Sequence, residues 1–432
     1  MRIDAILIES LPPFRSQVIE FPNPVRRDIG EVHLVTGGNG SGKTRLLSVL
    51  AAALGNPQNL LQRLSNPVTE RVQAVASDQE FVRIWDLDDE GVKVYKINHS
   101  IPWRQLSSYK DSFRRDKREM ATRAASIGRT LPLSSSQGPL GAFAFTGTSK
   151  IDDSKIEAMK RVELGKVEDH LDFEYKNNSA VLCQSMANLK MAAAMEQLRR
   201  LKNGPVRAIE IVQRLEDAVS KIAGRTFAFD VIAHPETRIR AHWGGHDMRF
   251  NQLPDGLRSI LGWLVACVAK LDSLYPDHPA PLDIPLILLI DEPESHLHIA
   301  WQRLIIPTAQ ELFPNSQIFV ATHSPFVISS VNAGWIHKLK MQEDGSVVNE
   351  SVPCPEGDSY IDVVEDVLGL SQWFDPETER LLTEFRELRE NAKTTRDIKP
   401  VAEKGEEIAA RGIGLKEIVV REMKQLYRQL QQ

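Results

Sequence analysis

The sequence predicts an α/β fold organised around a mixed, largely parallel central sheet, and three observations support this prediction. A glycine-rich loop, GGNGSGKT at residues 37–44, follows a short apolar strand and precedes a helical pattern. The segment Ile284–Ile290 is apolar at every position, as strands buried on both faces of a parallel sheet usually are. Another apolar strand, residues 316–322, follows after a helix, and this alternation is typical of the α/β class.

Length and composition indicate a globular protein. The 432 residues can bury a substantial core and suggest two or three structural units. The formal charge of -5 gives no overall attraction to nucleic acid or to an anionic membrane, so such a contact would require a local patch. Three scattered cysteines form neither a metal-ligand spacing nor an even-numbered disulfide framework, which favours a reducing compartment. They are Cys183, Cys267 and Cys354.

The sequence shows no targeting or membrane-spanning pattern. Glu9 and the pair Pro12-Pro13 interrupt the N-terminal segment, unlike a signal peptide. The longest apolar runs, Ile284–Ile290 and Leu261–Ala269, are too short to span a bilayer. We therefore expect a cytoplasmic protein with no membrane partner.

The chain is predicted to have four parts: 1–150, 151–225, 226–350 and 351–432. The first holds N-terminal strands, the glycine-rich loop and, over residues 69–101, an alternating pattern typical of an antiparallel β layer. The second is helical, with Gly224 placed to end its last helix. The third contains a hairpin turned by Gly244-Gly245 and the later apolar strands. The fourth is a helical extension, in which Asp375-Pro376 has the form of a helix start.

The glycine-rich loop matches the phosphate-binding pattern G-x-x-x-x-G-K-[ST] in full and has the strand before it and the helix after it that the pattern needs. Its backbone N–H groups can surround an anion at the positive end of the helix. Lys43 can reach the β and γ phosphates, and the Thr44 hydroxyl can ligate Mg²⁺. The alternative is a chance glycine turn before a helix. The predicted nucleotide-binding residues are Gly37, Gly38, Asn39, Gly40, Ser41, Gly42, Lys43 and Thr44.

Two carboxylates follow the fully apolar strand. Asp291 and Glu292 end this strand at the edge of the sheet where ligands bind in parallel folds. We expect Asp291 to lie on the metal side, with Thr44, and Glu292 to act as the general base that polarises water for attack on the γ phosphate. The alternative is an acidic strand end that caps helices.

Histidines also follow these strands. His323 comes directly after residues 316–322, where it can donate a hydrogen bond to the γ phosphate; the alternative is a structural histidine. His296 and His298 lack further ligands nearby, so we do not interpret them as a zinc pair.

These motifs resemble those of the ABC-type ATPases of the RecF, SMC and OLD group, over roughly residues 1–345. The resemblance implies an ABC-type P-loop ATPase head with a mixed or parallel central sheet, an antiparallel β layer, an inserted helical lobe and a helical C-terminal extension. It implies ATP and Mg²⁺ as cofactors and a head-to-tail dimer around the nucleotide. The implied site residues are the Walker A loop 37–44 with Lys43, the Walker B Asp291, the catalytic Glu292, a D-loop at Glu294–Leu297 and the switch His323.

The segment NQLPDGLRSILGWL, residues 251–264, occupies the place of the family's signature loop. The family form is Leu-Ser-x-Gly, whereas this chain has Leu253–Gly256 with proline in place of the serine. We expect Asp255 and Gly256 to contact the other subunit's nucleotide through backbone N–H groups, with Pro254 at the first helical position and Arg258 adding positive charge. The alternative is an ordinary helix start.

Within the group the chain resembles the ATPase subunits of Septu and retron-associated anti-phage systems, because it lacks a long heptad insert and has a compact helical tail. This resemblance implies a separate effector, such as an HNH nuclease, whose activity the ATPase gates. An apolar helix face in the tail either docks such a partner or packs on the chain's own body. Its residues are Leu415, Val419, Met423, Leu426 and Leu430.

Other interpretations remain open. A RecF-like DNA-repair ATPase is favoured by the basic segment 104–123, although such a run is also typical of a solvated helix face. A transporter ATPase fits poorly with the serine-free signature and the C-terminal extension, and a P-loop kinase has no use for both the acidic pair and the histidine. Gln137 is the candidate for the family's Q-loop glutamine, with an ordinary polar loop residue as the alternative.

Overall fold

A computed structural model gives the fold. It describes residues 2–24, 26–54, 71–77, 82–88, 91–97, 134–135, 138–139, 141–156, 170–171, 173, 179–200, 206–233, 236–354, 360–368 and 374–430. The basic segment 104–123 and the Q-loop candidate Gln137 lie outside these residues, so both stay predictions.

The chain forms two compact units, residues 1–363 and 364–432. The strands are β1 (Ile3–Ser10), β2 (Gln17–Glu20), β3 (Glu31–Gly37), β4 (Arg71–Ser77), β5 (Val82–Asp88), β6 (Gly91–Ile97), β7 (Ser134–Ser135), β8 (Gly138–Pro139), β9 (Gly141–Thr146), β10 (Phe227–Ile232), β11 (Arg238–Trp243), β12 (His246–Met248), β13 (Leu286–Asp291), β14 (Ser316–Ala321), β15 (Trp335–Met341) and β16 (Val347–Pro353). The α-helices are α1 (Lys43–Ala53), α2 (Ser179–Arg200), α3 (Arg207–Ala223), α4 (Asp255–Leu274), α5 (Ile299–Leu312), α6 (Pro325–Ile328), α7 (Tyr360–Asp362), α8 (Pro376–Thr395), α9 (Lys399–Ala409) and α10 (Ile413–Leu430).

The central sheet has the strand order β16-β15-β3-β14-β13-β9. Its strands run parallel except β16, which pairs antiparallel with β15. The predicted apolar strand is β13, and its residues from Leu286 to Ile290 are buried, as expected for a strand covered on both faces. The predicted mixed, largely parallel sheet is confirmed.

The register of this sheet brings three strand ends together. Asp291 of β13 pairs with Ala321 of β14, and Ala321 pairs with Val35 of β3. Because the strands are parallel, the loops that follow them leave from the same edge. The glycine-rich loop, the acidic pair and His323 therefore start side by side.

A second, five-stranded sheet lies in the N-terminal part, with the order β2-β1-β4-β5-β6. All its pairings are antiparallel, so the β layer predicted from the alternation over residues 69–101 is confirmed. β4, β5 and β6 supply the three strands within that range.

The later helices and turns also follow local signals. The apolar positions of α3 are buried and Gly224 ends the helix with φ +66°, as predicted. Gly244 and Gly245, with φ of +57° and +85°, turn the hairpin between β11 and β12. Among the described residues, no helix combines the length and the apolar character needed to cross a membrane.

The C-terminal unit is built from α8, α9 and α10. Asp375 caps α8 by accepting hydrogen bonds from the backbone of Glu377 and Thr378, and Pro376 lies at the first turn, as predicted. On the apolar face of α10, Leu415, Val419 and Leu426 are buried and Met423 is partly buried against the other two helices, whereas the side chain of Leu430 lies outside the described residues. These described residues pack on the chain's own helices, and docking of a partner stays a prediction.

Candidate nucleotide-binding site

The glycine-rich loop connects β3 to α1. Gly40 and Gly42 have φ of +78° and +90°, a region that residues with a side chain rarely adopt, so glycine is required at these turns. Gly42 occupies the N-cap position of α1, and no side chain caps that helix end. The first N–H groups of α1 thus remain available to an anion such as a phosphate.

Lys43 lies at the start of α1 and is folded over the loop. Its Nζ donates to the carbonyl oxygens of Gly37 at 3.0 Å and Gly38 at 3.1 Å. Burial lowers the pKa of this amine, while the carboxylates of Asp291, Glu292 and Glu294 act in the opposite direction. A partly desolvated cation beside a glycine loop is suited to binding a phosphate.

Thr44, in the first turn of α1, contacts Asp291 at the end of β13. The Thr44 hydroxyl donates to Asp291 Oδ1 at 3.3 Å. A hydroxyl and a carboxylate are hard oxygen donors of the kind that Mg²⁺ prefers, and Mg²⁺ commonly takes its remaining ligands from water and phosphate. The two side chains therefore fit a bound Mg²⁺. Among the described residues, no cluster of three or more histidine, cysteine or acidic side chains forms a metal site.

Glu292 begins the turn after β13 and has a backbone conformation unusual for its type. Its φ is +50°, and its N–H donates to the carbonyl of Ala321 at 2.9 Å. Its side chain is exposed, with Ser295 Oγ 3.4 Å from Oε2. Left-handed backbone in a residue other than glycine is uncommon and concentrates at functional sites.

Gly147 shapes this turn and was missed by the sequence analysis. A Cβ at this position would lie 1.9 Å from the carbonyl oxygen of Glu292, so no side chain fits. Its N–H donates to the carbonyl of Asp291 at 2.9 Å, and its carbonyl accepts from the hydroxyl of Ser259. The glycine directly after the strand GAFAFT was the available signal, but its partners are distant in sequence.

His323 follows β14, half-buried, on the same edge. Burial lowers the pKa of its imidazole, the positive charge of Lys43 lowers it further, and Glu292 raises it. Its backbone N–H donates to Glu294 Oε1 at 2.9 Å. The structure thus brings together the predicted phosphate loop, metal pair, general base and histidine, while their roles remain to be tested.

The predicted signature segment starts α4, one residue later than expected. The helix begins at Asp255, and Pro254 is its N-cap residue rather than its first helical residue, because ψ of Pro254 is 143°. The Pro254 carbonyl accepts from Arg258 N–H at 3.0 Å, and no side chain caps the helix. A Cβ on Gly256 would lie 2.8 Å from the carbonyl oxygen of His296, so the segment packs closely on the D-loop region.

Arg258 does not supply free positive charge as the sequence analysis expected. Its guanidinium pairs with Asp152 and, at 3.1 Å, with Asp255, and its side chain is only 16% exposed. Lys150 also pairs with Asp255 at 3.0 Å. The expectation is wrong because these acidic partners neutralise the arginine, leaving the segment close to neutral.

His296 and His298 lie in the turn before α5 and at the N-terminus of that helix. His298 is the N-cap of α5, and its Nδ1 accepts from the N–H of Ala300 at 3.3 Å. His296 has φ +65° and lies in the turn.

Fold and site together resemble those of P-loop ATPases. In a comparison with protein families, residues 152–329 match the family described as "AAA domain, putative AbiEii toxin, Type IV TA system". The matched range contains the predicted signature, the acidic pair and His323.

Known proteins similar to this chain include two retron proteins and a Septu protein. "Retron Ec83 probable ATPase" of Escherichia coli is 40% identical over 89 residues, which cover 21% of this chain and 16% of that protein. "Septu protein PtuA" of Bacillus thuringiensis is 30% identical over 145 residues, covering 32% and 37%. "Retron Vc95 probable ATPase" of Vibrio cholerae is 24% identical over 204 residues, covering 44% and 38%. These matches confirm the predicted resemblance, and the chain spans 16% to 38% of the length of these relatives.

Solved structures of SMC heads also align with this chain. The SMC head bound to the C-winged helix domain of ScpA aligns with a TM-score of 0.45 and 14% identity, covering 82% of this chain and 98% of that one. The SMC head domain of Thermotoga maritima gives a TM-score of 0.39 and 15% identity, covering 82% and 99%.

Proposed function

We propose that this chain binds ATP with Mg²⁺ and hydrolyses it to ADP and phosphate. The observation that carries the proposal is the approach of the Thr44 hydroxyl to Asp291 Oδ1, at 3.3 Å, beside the phosphate loop. Lys43 and Glu292 both act on the pKa of His323, and Glu292 also acts on the pKa of Lys43, which supports a common site for the three side chains.

Each residue has a task in this mechanism. The N–H groups of α1 and Lys43 bind the phosphates, and Thr44 and Asp291 hold Mg²⁺, which when bound neutralises charge on the β and γ phosphates. Glu292 accepts the proton of the attacking water. His323, whose lowered pKa keeps it neutral near pH 7, donates a hydrogen bond from one ring nitrogen to the γ phosphate.

The proposal includes a head-to-tail dimer in which the segment Leu253–Gly256 of one copy meets the nucleotide of the other. The uncapped N-terminus of α4 offers N–H groups to an anion. Asp255 would repel a triphosphate, but Lys150 and Arg258 neutralise it. Ile299, 49% exposed at the start of α5, adds an apolar side chain beside the D-loop that such an interface can bury.

The dimer then gates a partner effector, such as an HNH nuclease, in anti-phage defence. The support is the similarity to ATPases named for Septu and retron systems. ATP that bridges two copies favours the closed state, and hydrolysis removes that preference, so the nucleotide state can control a bound partner.

A glutamine substitution of Glu292 tests the proposal. Glu292→Gln should lower hydrolysis on the order of 100-fold, the contribution typical of a general base, and should trap an ATP-bound dimer detected by light scattering. Lys43→Ala is the control, because it should lose ATP binding and the dimer together. Hydrolysis and oligomeric state that are unchanged in Glu292→Gln would overturn the mechanism.

A RecF-like DNA-binding ATPase is the second candidate, favoured by the local excess of arginine and lysine in segment 104–123. Phosphate contacts would give binding that weakens steeply with salt. Charge reversal of Arg114, Arg115 and Arg118 should then abolish the affinity of the chain for duplex DNA, measured by fluorescence anisotropy. Salt-independent or absent binding would leave the first proposal alone.

A further inference from the structure

Glu294 is a buried carboxyl group between the acidic pair and the histidine. Its Oε1 accepts two hydrogen bonds, from Thr322 Oγ1 at 2.7 Å and from the backbone N–H of His323 at 2.9 Å. Its Oε2 is buried and has no hydrogen-bond partner among the residues that the structure describes. A single carboxylate oxygen thus joins the turn after β13 to the loop after β14.

Burying this carboxyl group is unfavourable. Desolvation raises the pKa of Glu294, the negative charge of Glu292 raises it further, and the hydrogen bonds from Thr322 and His323 partly offset both effects. An apolar side chain would fill the same space without that cost. The hydrogen bonds of the Glu294 carboxylate to Thr322 and His323 therefore need a role other than stability.

We propose that Glu294 is a positioning residue that fixes His323 relative to Glu292. This inference rests on the proposed function, in which these two residues face the γ phosphate. Only Pro293 separates Glu292 from Glu294 in the chain. The two hydrogen bonds to Glu294 Oε1 therefore add to the bond from the Glu292 N–H to the Ala321 carbonyl, and together they leave little freedom between the general base and the histidine loop.

The loop after β14 has a second attachment that does not involve Glu294. Ser324 Oγ donates to Gln302 Oε1 at 2.6 Å, and Ser324 caps α6 by accepting from Phe326 and Val327. The Ser324 N–H donates to Thr322 Oγ1 at 3.0 Å. Removal of Glu294 should therefore loosen His323 while the rest of the loop stays attached.

Hydrogen exchange tests the anchor without relying on activity. The His323 amide donates directly to Glu294, so Glu294→Ala should speed its exchange about tenfold, the size expected for one lost hydrogen bond. Glu294→Gln keeps an acceptor oxygen and should preserve most of the protection. Unchanged exchange in Glu294→Ala would overturn the proposal, whether or not the chain hydrolyses ATP.

Kinetics then test whether the anchor acts through His323. Glu294→Ala should lower kcat on the order of 10-fold to 100-fold, with a KM for ATP close to that of the parent chain, and Glu294→Gln should restore most of kcat. In a chain that already carries His323→Ala, Glu294→Ala should not lower kcat further, because the imidazole that Glu294 positions is already absent. Additive losses in the double variant would contradict a positioning role. The parent chain could fail to hydrolyse ATP while the His323 amide still exchanges faster in Glu294→Ala. That combination would contradict the proposed function but not the positioning role of Glu294.

Discussion

The hydroxyl of Thr44 lies 3.3 Å from Asp291 Oδ1, although 247 positions separate the two residues in the chain. Thr44 belongs to the helix after the phosphate loop, and Asp291 ends the buried strand β13. The parallel register of β3, β14 and β13 produces this contact, since it brings the ends of the strands to one edge. The pair is the basis of the predicted dependence on Mg²⁺.

Substitution of the carboxylate should weaken the contribution of Mg²⁺ to nucleotide binding. Asp291→Asn removes the negative charge but keeps the size of the side chain, so the Mg²⁺-dependent gain in ATP affinity should fall at least about tenfold. A fluorescent ATP analogue titrated with and without Mg²⁺ measures this gain. The affinity without Mg²⁺ serves as the control and should not decrease. An unchanged gain would show that Asp291 does not hold the ion.

A side chain at Gly147 should disturb the turn that carries Glu292. The added Cβ would meet the Glu292 carbonyl at 1.9 Å, so Gly147→Ala should lower the free energy of unfolding by about 1–3 kcal/mol and reduce hydrolysis. Calorimetry and an ATPase assay give the two values. Gly414→Ala is a matched control, because no atom of the described part of the chain lies within 4 Å of a Cβ there and alanine favours a helix. Equal stability in both variants would contradict the packing.

Loss of the ion pairs that neutralise the signature segment should weaken the ATP-dependent dimer. Arg258→Ala leaves Asp152 and Asp255 with less compensation, so the ATP-dependent dimer of the Glu292→Gln chain should weaken while ATP binding to a single chain is maintained. Sedimentation velocity with ATP and Mg²⁺ detects the change, which should grow at low salt. Arg380→Ala, which removes an exposed arginine paired with Glu377 and Glu384, is the control. A dimer equally stable in both variants would reject the interface role of the segment.

The two sides of α10 should respond differently to truncation. Leu426 is fully buried, so Leu426→Ala should lower the stability of the C-terminal unit by about 2–5 kcal/mol. Val420, 44% exposed on the same helix, should tolerate alanine with little change. Hydrogen exchange over residues 376–430 reports on this unit directly. Similar protection in the two variants would contradict the buried face.

Acid should destabilise the N-terminal unit through a pair of buried histidines. His33 Nδ1 lies 3.0 Å from His337 Nε2, and burial lowers the pKa of both rings below their ordinary value of 6.5. The unfolded chain therefore binds more protons below about pH 6.5, so the free energy of unfolding decreases as the pH falls toward the folded pKa values. Thermal melts between pH 7.5 and 5.5, about one unit on either side of that value, measure the slope.

A substitution identifies the source of that slope. His337→Gln removes one titrating ring, so the variant should lose less stability on acidification than the parent chain, although it starts from a lower value. Residues 364–432 contain no histidine, so hydrogen exchange in that unit provides an internal control. The same acid slope in the variant would show that another group is responsible.

Local patterns were sufficient to predict the sheet class, the phosphate loop and the helix ends. A buried strand, a glycine at a left-handed turn and a capping aspartate each leave a short signal in the sequence, as β13, Gly224 and Asp375 show. Asp291, Glu292 and His323 could be predicted to lie near one another because strand ends in a parallel sheet meet at one edge. That rule places residues without any knowledge of side-chain contacts.

Contacts between distant segments could not be predicted. Arg258 forms an ion pair with Asp152, which is distant in sequence, and this pair compensates the positive charge that the sequence predicted to be free. The carbonyl oxygen of Glu292 leaves no room for a side chain at Gly147. Glu294 accepts a hydrogen bond from the backbone N–H of His323. Each of these contacts depends on how folded segments pack, which neither periodicity nor residue type encodes.

Disulfide cross-linking between copies tests the central claim, that ATP is held between the phosphate loop of one copy and Leu253–Gly256 of another. Gly38→Cys in one tagged chain and Asp255→Cys in a second, both with Glu292→Gln, place thiols on the two sides. No described atom lies within 4 Å of a Cβ at Gly38, and the native cysteines are buried. The account predicts a mixed-tag cross-link with ATP and Mg²⁺, but not with ADP. No mixed-tag cross-link in ATP, or a cross-link within single copies only when one chain carries both substitutions, would contradict it.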